Sequence, residues 1–458
     1  MQTKSNLKFT LLLVFILILP ALVNAQHISS KFDEYLNSYY DMEPFSGVVL
    51  IAKGDSILLN KGYGMANYEL NVPNTHKTVF NIASLTKPFT AVLALQLVQK
   101  GKLNLKGKVI DYISDYPKKN GSMITIHNLL NHTSGIPHYE VFPDFYFKQS
   151  REEYAPKEFI KLFWNQNLLF KPGTNFKYTS LGYYVLTYII QQITGKPYKD
   201  LIKDNICIPA GLKNTQVDDD NIIVKNRASG YEYDYTGLIN ADYRDMSSAL
   251  GSGDLLSTTE DLLLFMKAIE GTKLLNPKYK EMIFTPYPPG TCYGWFEDKV
   301  KNPKDNSMLN RIYHTGGVNG FRTILSKYDN GLCIIVLSNF GFTQREKIEH
   351  DLFTIYCTGV FPPEKQRKPV RISPEMYKSF AGNYSASSSV MFKINIVENG
   401  LTLDLSNSYR TKLIPASENK FYLLGKNGEI IFKKNKKEQV TELDYKEDDV
   451  LKYKAVKK

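Results

Sequence analysis

The stretch NIASLTKPFTAVLALQLVQKG, residues 81–101, places a serine three residues before a lysine at the start of an apolar run. The run predicts a helix over residues 84–100 that ends at Gly101. Ser84 and Lys87 then share one helix face, at positions i and i+3. The unpaired N–H groups and positive dipole at a helix start favour an oxyanion at Ser84. The pattern therefore indicates a candidate nucleophile.

A serine hydroxyl is a poor nucleophile until a base takes its proton. Lys87 could take that proton, but a lysine is normally charged, with a pKa of about 10.4. Burial and cationic neighbours lower lysine pKa values by up to roughly 3 to 5 units, which reaches the neutral range. A second proton-exchanging group relieves this demand, and PGTNFKYTSLGYYVL (residues 172–186) offers Tyr178 directly before a predicted helix.

The Ser-x-x-Lys spacing alone is a weak signal, because it occurs about once or twice by chance in a chain of this length at ordinary composition. The same spacing joins Ser5 to Lys8 in a predicted leader segment and Ser417 to Lys420 in a predicted turn. Only at Ser84 does a predicted helix start accompany the spacing.

Residues 1–25 have the pattern of a signal peptide. Two lysines precede an apolar run at residues 11–23, and small residues follow up to Ala25. A membrane anchor is the alternative, but the run is shorter than the roughly 20 residues that a spanning helix needs. We therefore expect cleavage near Ala25 and a periplasmic or secreted protein without a stable membrane anchor.

Charge and cysteine content favour neither a nucleic-acid partner nor a metal. The formal net charge is +11, but apart from residues 433–437 the basic side chains are dispersed, which is typical of a solvated surface. The chain contains no C-x-x-C or H-E-x-x-H motif, so we expect no metal or other cofactor. Cys333 lies in an apolar run and predicts a buried free thiol, although export permits disulfides. The four cysteines are widely spaced: Cys207, Cys292, Cys333 and Cys357.

Proline and charge replace apolar periodicity at residues 361–375, which predicts a linker. Upstream, strand-like segments at residues 46–54 and 322–339 enclose a middle with helical periodicity. One predicted helix follows Leu181, and another runs to Gly271 with Ser257 as its N-cap. Strands at both ends around helices indicate an α/β domain whose sheet joins its terminal segments.

Downstream of the linker, residues 376–458 change to a period of two. The dipeptides Asn399-Gly400 and Asn427-Gly428 lie between strand-like runs. Asn-Gly suits two-residue hairpins, because both central positions of such a turn need positive φ. A small antiparallel all-β domain is therefore predicted here.

Three segments together resemble the motif regions of the serine β-lactamase and penicillin-binding-protein superfamily: FNIASLTKPFTA, KPGTNFKYTSLGYYVL and YHTGGVNGF. The similarity is greatest to the class C-like branch, which also contains D-alanyl-D-alanine carboxypeptidases, D-aminopeptidases and esterases. The resemblance covers roughly residues 30–345. It implies a domain over residues 26–360 with an antiparallel sheet flanked by helices and an all-helical subdomain. The segment FAGNYSA similarly resembles the start of barrel-like domains appended to such enzymes.

The resemblance also implies catalytic roles. Ser84 matches the acylated nucleophile and Lys87 its partner base, while Tyr178 matches the tyrosine that passes a proton to the leaving group. The backbone N–H groups of Ser84 and Gly317 would form the oxyanion hole.

The third motif falls on a strand that flanks the site and implies substrate contacts by His314, Thr315 and Gly316. His314 would bias Tyr178 and hold an anionic substrate group, and it stands where many β-lactamases have lysine. Ser180 stands where family members usually have asparagine, and its hydroxyl replaces an amide that both donates and accepts. Ser180 therefore favours esters over amides and β-lactams as substrates. His314 resembles the carboxypeptidase and esterase members, which argues against antibiotic hydrolysis.

His132 and His138 are predicted to be structural. The sequence thus predicts an exported, cofactor-independent serine hydrolase that forms an acyl-enzyme with a small ester, D-amino-acid amide or peptide. A β-lactamase or D-alanyl-D-alanine carboxypeptidase is the alternative within the family. A non-catalytic envelope protein that keeps the fold as a binding surface is the alternative of another class. The oligomeric state is left open.

Overall fold

The structure is a computed structural model, which describes residues 28–37, 45–234, 237–361, 370–387, 390–397, 400–405, 409–424, 428–447 and 450–458. The predicted signal peptide and residues 362–369 of the predicted linker lie outside the described residues. In the described part of the chain, no helix combines the length and the apolar character needed to cross a membrane.

Strands at the two ends of the larger unit form one six-stranded antiparallel sheet. Its order is β10-β11-β12-β13-β1-β2, so β2 and β10 are its edges. Gly47 of β1 pairs with Ser338 of β13, which brings the terminal segments together as the sequence predicts. The strands before the linker are β1 (Gly47–Lys53), β2 (Ser56–Tyr63), β3 (Met65–Asn67), β4 (Val72–Pro73), β5 (Phe80–Asn81), β6 (Gln216–Val217), β7 (Tyr231–Asp234), β8 (Gly237–Asn240), β9 (Leu255–Ser257), β10 (Phe296–Lys301), β11 (Met308–Val318), β12 (Phe321–Tyr328) and β13 (Leu332–Ser338).

Helices cover both faces of this sheet. The α-helices are α1 (residues 28–37), α2 (Thr86–Gln99), α3 (Val109–Tyr112), α4 (Lys118–Gly121), α5 (Ile126–Leu130), α6 (Pro156–Lys161), α7 (Ser180–Thr194), α8 (Tyr198–Ile202), α9 (Ile208–Ala210), α10 (Thr259–Glu270), α11 (Pro277–Phe284), α12 (Arg345–Thr358) and α13 (Pro374–Phe380). Short 3₁₀ turns occupy Ala83–Leu85, Tyr139–Val141, Gln149–Arg151 and Met246–Ala249, and a π-helical turn occupies Lys203–Cys207.

Alternating side chains of β1 enter two different cores, because successive residues of a strand point to opposite faces. Val48 and Leu50 join the larger core, which includes α2 and α7. Val49 and Ile51 join a smaller core under α1 and α12. Burial on both faces explains why β1 and β13 are continuous apolar runs instead of alternating ones.

Two predicted helix boundaries are confirmed and one is wrong. Helix α2 ends before Gly101 and helix α10 ends before Gly271, as the sequence predicts. Gly101 has a positive φ, which helix C-termini favour. Helix α10 begins one residue later than predicted, because Thr258 is its N-cap and accepts a hydrogen bond from the N–H of Asp261. Ser257, the predicted N-cap, is the last residue of β9.

The eight strands after the linker close into an antiparallel barrel, in which β14 pairs with β21. This confirms the predicted barrel-like fold. The hairpin-turn residues at 398–399 and 425–427 lie outside the described residues. The barrel strands are β14 (Gly382–Ser385), β15 (Met391–Val397), β16 (Gly400–Leu405), β17 (Tyr409–Pro415), β18 (Lys420–Leu423), β19 (Gly428–Lys434), β20 (Val440–Glu447) and β21 (Val450–Lys457).

Helix α13 departs from the predicted all-β character of residues 376–458. Ser373 caps it by accepting a hydrogen bond from the N–H of Met376, and Pro374 occupies its first turn. The helix ends at Phe380, which is fully buried in the barrel core. Met376 and Tyr377 of the same helix also pack against this core, so the helix contributes side chains to the barrel interior.

None of the four cysteines forms a disulfide. Cys333 is buried in β13, as the apolar run around it predicts, and burial raises the pKa of its thiol to about 12. A thiol with such a pKa is a poor nucleophile.

Candidate active site

Ser84 lies in the 3₁₀ turn Ala83–Leu85, directly before α2 and not inside the helix itself. Ala83 has a φ of +48°, a left-handed conformation that is uncommon for residues other than glycine. Its N–H donates to Asn81 Oδ1 over 2.8 Å. The hydroxyl of Thr323 on β12 donates to the Ile82 carbonyl over 3.0 Å. The backbone directly before Ser84 is therefore held from both sides.

Lys87 is completely buried beneath Ser84. Its Nζ lies 3.0 Å from Ser84 Oγ, 3.2 Å from Ser180 Oγ and 2.6 Å from the Ser252 carbonyl oxygen. Burial, followed by the positive charge of Arg244, lowers the pKa of Lys87 well below its usual value. A neutral amine donates two hydrogen bonds, here to Ser252 and Ser180, and keeps a lone pair for the Ser84 proton. The geometry thus suits Lys87 as a general base.

Tyr178 adjoins both groups. Lys87 Nζ lies 4.9 Å from the centroid of its ring. Burial raises the pKa of Tyr178 above its usual value, an effect that hydrogen bonding to Ser84 and Ser180 partly offsets. The phenol is therefore protonated at neutral pH and can donate. Because Lys87 and Tyr178 meet at one serine, their protonation states are coupled.

His314 lies on β11 and is almost fully buried. Burial, followed by the charge of Lys87, lowers its pKa to about 3, so the ring is neutral at physiological pH. Its Nδ1 lies 2.6 Å from the Thr315 carbonyl oxygen and donates to it, which leaves Nε2 as an acceptor. In the described part of the chain, Nε2 has no partner. The predicted role of holding an anion gains no support from a neutral ring.

Gly316 allows β11 to approach the turn that contains Ser84 closely. A Cβ at this position would lie 2.2 Å from Thr323 Oγ1 and 2.5 Å from the Ile82 carbonyl oxygen. Gly317, the next residue, is exposed in the cleft, and a Cβ there would have only ordinary contacts, the nearest at 3.5 Å. The predicted oxyanion hole of the Ser84 and Gly317 N–H groups remains a prediction.

These residues surround a cleft of about 620 Å³. Lys87 does not line the cleft but contacts Ser84 and Ser180, which do. Gly316 packs behind the lining residues, against Ile82 and Thr323. The predicted site residues that line the cleft are Ser84, Tyr178, Ser180, His314, Thr315 and Gly317.

Sequence reasoning missed several other residues of the cleft. His138, predicted to be structural, lines it, and burial lowers the pKa of this histidine to about 4. Arg244, Arg345 and Glu232 also line it, although they come from distant segments with no common motif. His132 is buried and its Nδ1 accepts a hydrogen bond from the Thr179 N–H over 3.2 Å, in keeping with a structural role.

The family model described as Beta-lactamase matches residues 36–354 of this chain.

This chain belongs to the Beta-lactamase family.

Proteins that are similar to this chain include two bacterial relatives and one protein of known structure. Penicillin-binding protein 4* of Bacillus subtilis (strain 168) is 28% identical over 417 residues, which cover 85% of this chain and 90% of the relative. Teichoic acid D-alanine hydrolase of Staphylococcus aureus is 27% identical over 326 residues, 70% of this chain and 76% of the relative. D-amino acid amidase from Ochrobactrum anthropi SV3, solved with D-phenylalanine amongst other complexes, superposes with a TM-score of 0.61 at 22% identity and covers 73% of this chain and 98% of its own.

The amidase comparison supports the β-lactamase-like fold. Family membership places the chain in the serine hydrolase superfamily.

Proposed function

We propose that this Beta-lactamase family member is an exported hydrolase that forms an acyl-enzyme at Ser84 with a small ester, a D-amino-acid amide or a peptide. The observation that carries the proposal is the 3.0 Å contact between Ser84 Oγ and the buried Lys87 Nζ. A neutral amine at that distance activates the serine hydroxyl, which is otherwise a poor nucleophile.

In the first half-reaction Lys87 accepts the Ser84 proton as Oγ attacks the substrate carbonyl carbon. The resulting oxyanion is stabilised by N–H groups of Ser84 and Gly317. Tyr178 gives its proton to the leaving oxygen or nitrogen and regains one from the Lys87 ammonium. The bond from the carbonyl carbon to the leaving group breaks, and Lys87 is neutral again.

In the second half-reaction a water molecule attacks the acyl-enzyme. The Lys87–Tyr178 pair accepts the proton of that water, and the same pair returns a proton to Ser84 Oγ as the acyl–oxygen bond breaks. The acid product leaves and the site regains its starting protonation. The first transfer uses Lys87, whose Nζ already lies 3.0 Å from Ser84 Oγ, within the reach that general acid–base catalysis requires.

Within this substrate range we infer a preference for esters. Ser180 is bonded to Lys87 and offers a single hydroxyl where relatives usually have an amide, so an acyl amide of the substrate loses a partner. A simple ester has no acyl amide and loses nothing. The name of the teichoic acid D-alanine hydrolase, a relative of this chain, is compatible with a small acyl substrate.

Labelling with a fluorophosphonate probe tests the proposal. Mass spectrometry should find the adduct on the peptide containing Ser84, and Ser84→Ala should abolish it. Ser417→Ala is the matched control, because Ser417 has the same spacing to a lysine but lies in an exposed turn of the barrel. An adduct at another serine, or active protein without an adduct, would contradict the assignment.

Substrate class is tested with 4-nitrophenyl esters, D-amino-acid anilides and a chromogenic cephalosporin. We expect the esters to have the highest kcat/KM. No turnover of any of them by folded protein would favour the non-catalytic binding alternative. Export is tested separately, by sequencing the N-terminus of the mature protein, which should begin after Ala25.

A further inference from the structure

Arg244 occupies one wall of the catalytic cleft, on an aromatic support. Its guanidinium carbon lies 5.2 Å from the centroid of the Tyr139 ring and 5.3 Å from that of Phe145. The two rings stack on each other at 3.9 Å with an angle of 11°. Contact with ring faces stabilises the cation and restricts its rotamers, so little further side-chain entropy is lost when a ligand binds.

The hydrogen bonds of Arg244 leave its charge uncompensated. Nη2 donates to the Tyr139 hydroxyl over 3.0 Å and Nε is 3.4 Å from the Ser248 hydroxyl, and both partners are neutral. Among the residues that the structure describes, no carboxylate lies within ion-pair distance of this guanidinium. Arg345, in the same cleft, differs because it pairs with Glu346 at 2.9 Å.

The donors of Arg244 are not exhausted by these two contacts. A guanidinium has five N–H donors in a planar fork that matches the oxygens of a carboxylate or a phosphate. The side chain is half-buried, so a ligand anion would be partly shielded from water. Partial burial strengthens the attraction between opposite charges.

Arg244 is also close to the chemistry. It lines the same cleft as Ser84, and its charge contributes to the lowered pKa of Lys87. Arg322 and Arg345 also line the cleft, but their guanidinium groups donate to the carbonyl oxygens of Val318 and Gly316 on β11. A substrate held at Ser84 therefore has a distinct cationic contact on the side of Tyr139.

We propose that Arg244 forms an anion subsite, which makes this hydrolase selective for substrates that carry a carboxylate or phosphate a short distance from the scissile bond. This inference rests on the proposed function and specifies its substrate class.

The test compares esters that differ only in charge. The 4-nitrophenyl monoester of pimelic acid carries an acyl-side carboxylate, and its methyl-capped diester is the neutral partner. An acetyl ester of 3-carboxy-4-nitrophenol and its methyl-capped form place the same charge on the leaving group. The readout is the kcat/KM of the charged ester divided by that of the neutral ester. Arg244 also influences Lys87, and a substitution of Arg244 therefore changes the hydrolysis rates of both esters. The ratio cancels this common change.

We expect the wild type to favour the charged ester by at least about tenfold in one of the two pairs, as a charge-assisted hydrogen bond supports. Arg244→Gln should bring this ratio near one, and Arg244→Lys should retain part of it. Arg322→Gln, which removes a cation from the sheet wall, is the comparison variant and should keep the ratio. A ratio that survives in Arg244→Gln, or falls equally in Arg322→Gln, would overturn the proposal.

Binding without catalysis separates this proposal from the proposed function. Calorimetric titration of Ser84→Ala with pimelate and with glycerol 1-phosphate shows whether the protein binds a carboxylate or a phosphate. The double variant Ser84→Ala/Arg244→Gln should bind the preferred anion at least about tenfold more weakly. Circular dichroism verifies that each variant is folded. Anion binding that depends on Arg244 in a protein without esterase activity would leave the subsite standing and refute the hydrolase. If the single and double variants bind each anion with equal affinity, or if neither variant binds either anion, the subsite is refuted.

Discussion

Ser180 Oγ accepts a hydrogen bond from Lys87 Nζ over 3.2 Å. The residue that the sequence links to recognition of the substrate amide therefore also contacts Lys87, the proposed base. Ser180 is the first residue of α7 and is buried, so its position is set by the helix and not by the substrate.

Ser180→Asn should raise kcat/KM for an amide or cephalosporin about tenfold relative to an ester, which corresponds to about 1.4 kcal/mol. The reason is that an asparagine amide can both donate to and accept from an acyl amide, and an unpaired buried amide costs roughly 1 to 3 kcal/mol. Both substrates are measured on both proteins at one pH. Ser180→Ala is the control, because it removes the contact with Lys87 without adding an amide and should affect ester and amide alike. Equal changes in Ser180→Asn would mean that residue 180 does not contact the substrate amide.

Gly316→Ala and Gly317→Ala should differ sharply, although the residues are neighbours. A methyl group at 316 would overlap Thr323 Oγ1 and the Ile82 carbonyl oxygen, so β11 must move away from the turn that contains Ser84. Misplacement by about 1 Å can cost on the order of 10²-fold in rate. Gly317→Ala meets only ordinary contacts and should keep the melting temperature of the wild type. Thermal unfolding and ester kinetics of the two variants provide the measurement, and similar losses in both would contradict the packing argument.

The pH dependence of ester hydrolysis should report Lys87. Because its pKa is lowered well below 10.5, the neutral, active form persists as pH falls from 10.5 toward neutral, and kcat/KM declines only below the lowered pKa. The charge of Arg244 contributes to this lowering, so Arg244→Gln should move the acidic limb of the profile to higher pH. Lys87→Arg cannot lose its proton and should be inactive. An acidic limb at unchanged pH in Arg244→Gln would show that the guanidinium does not influence Lys87.

Protonation of His314 should destabilise the folded protein. The pKa of its ring is about 3 when folded against 6.5 as the usual value, so the unfolded chain binds more protons between these limits. Stability should therefore fall as pH drops from about 6.5 toward 3, by up to about 1.4 kcal/mol per pH unit from this residue. His314→Gln should reduce the slope in urea unfolding at pH 4 and 7. His350→Gln, at an exposed position, is the control, and the prediction fails if both variants change the slope equally.

Removal of the barrel should change selectivity more than activity. Lys412 of β17 is 3.3 Å from the Tyr233 hydroxyl on β7, and the neighbouring Glu232 lines the cleft and accepts from the Gly320 N–H. A chain that ends near residue 368 should keep some esterase activity with an altered order of preferred esters, because this cleft wall loses its support. Lys412→Met should shift the order in the same direction and to a smaller degree. A folded but wholly inactive truncated chain would show that the barrel supplies part of the site.

The main parts of the fold could be predicted because each has a local signal. The apolar runs of β1 and β13 indicate buried strands, and the spacing of Ser84 and Lys87 needs only one helical turn to bring them together. The N-cap of α10 could not be assigned, since Ser257, Thr258 and Thr259 are all suitable caps and the end of β9 decides between them.

The cleft wall around Arg244 had no local signal. Tyr139 lies 105 positions away from it in sequence, and their contact depends on how the helical segments pack. The contact of Lys87 with the Ser252 carbonyl oxygen could not be predicted either. Every residue has a carbonyl group, and only the course of the backbone brings this one to Lys87.

The pairing of β14 with β21 gives the barrel no open strand edge. Addition of a strand from another chain, the usual first step of β-type aggregation, therefore has no template there. The six-stranded sheet differs, because β2 and β10 remain at its margins. On β10 the exposed side chains alternate as Glu297, Lys299 and Lys301, and on β2 Lys61 pairs with Asp33. Charged side chains at such edges oppose pairing with another copy, so the barrel and the open sheet resist edge-to-edge aggregation by different means.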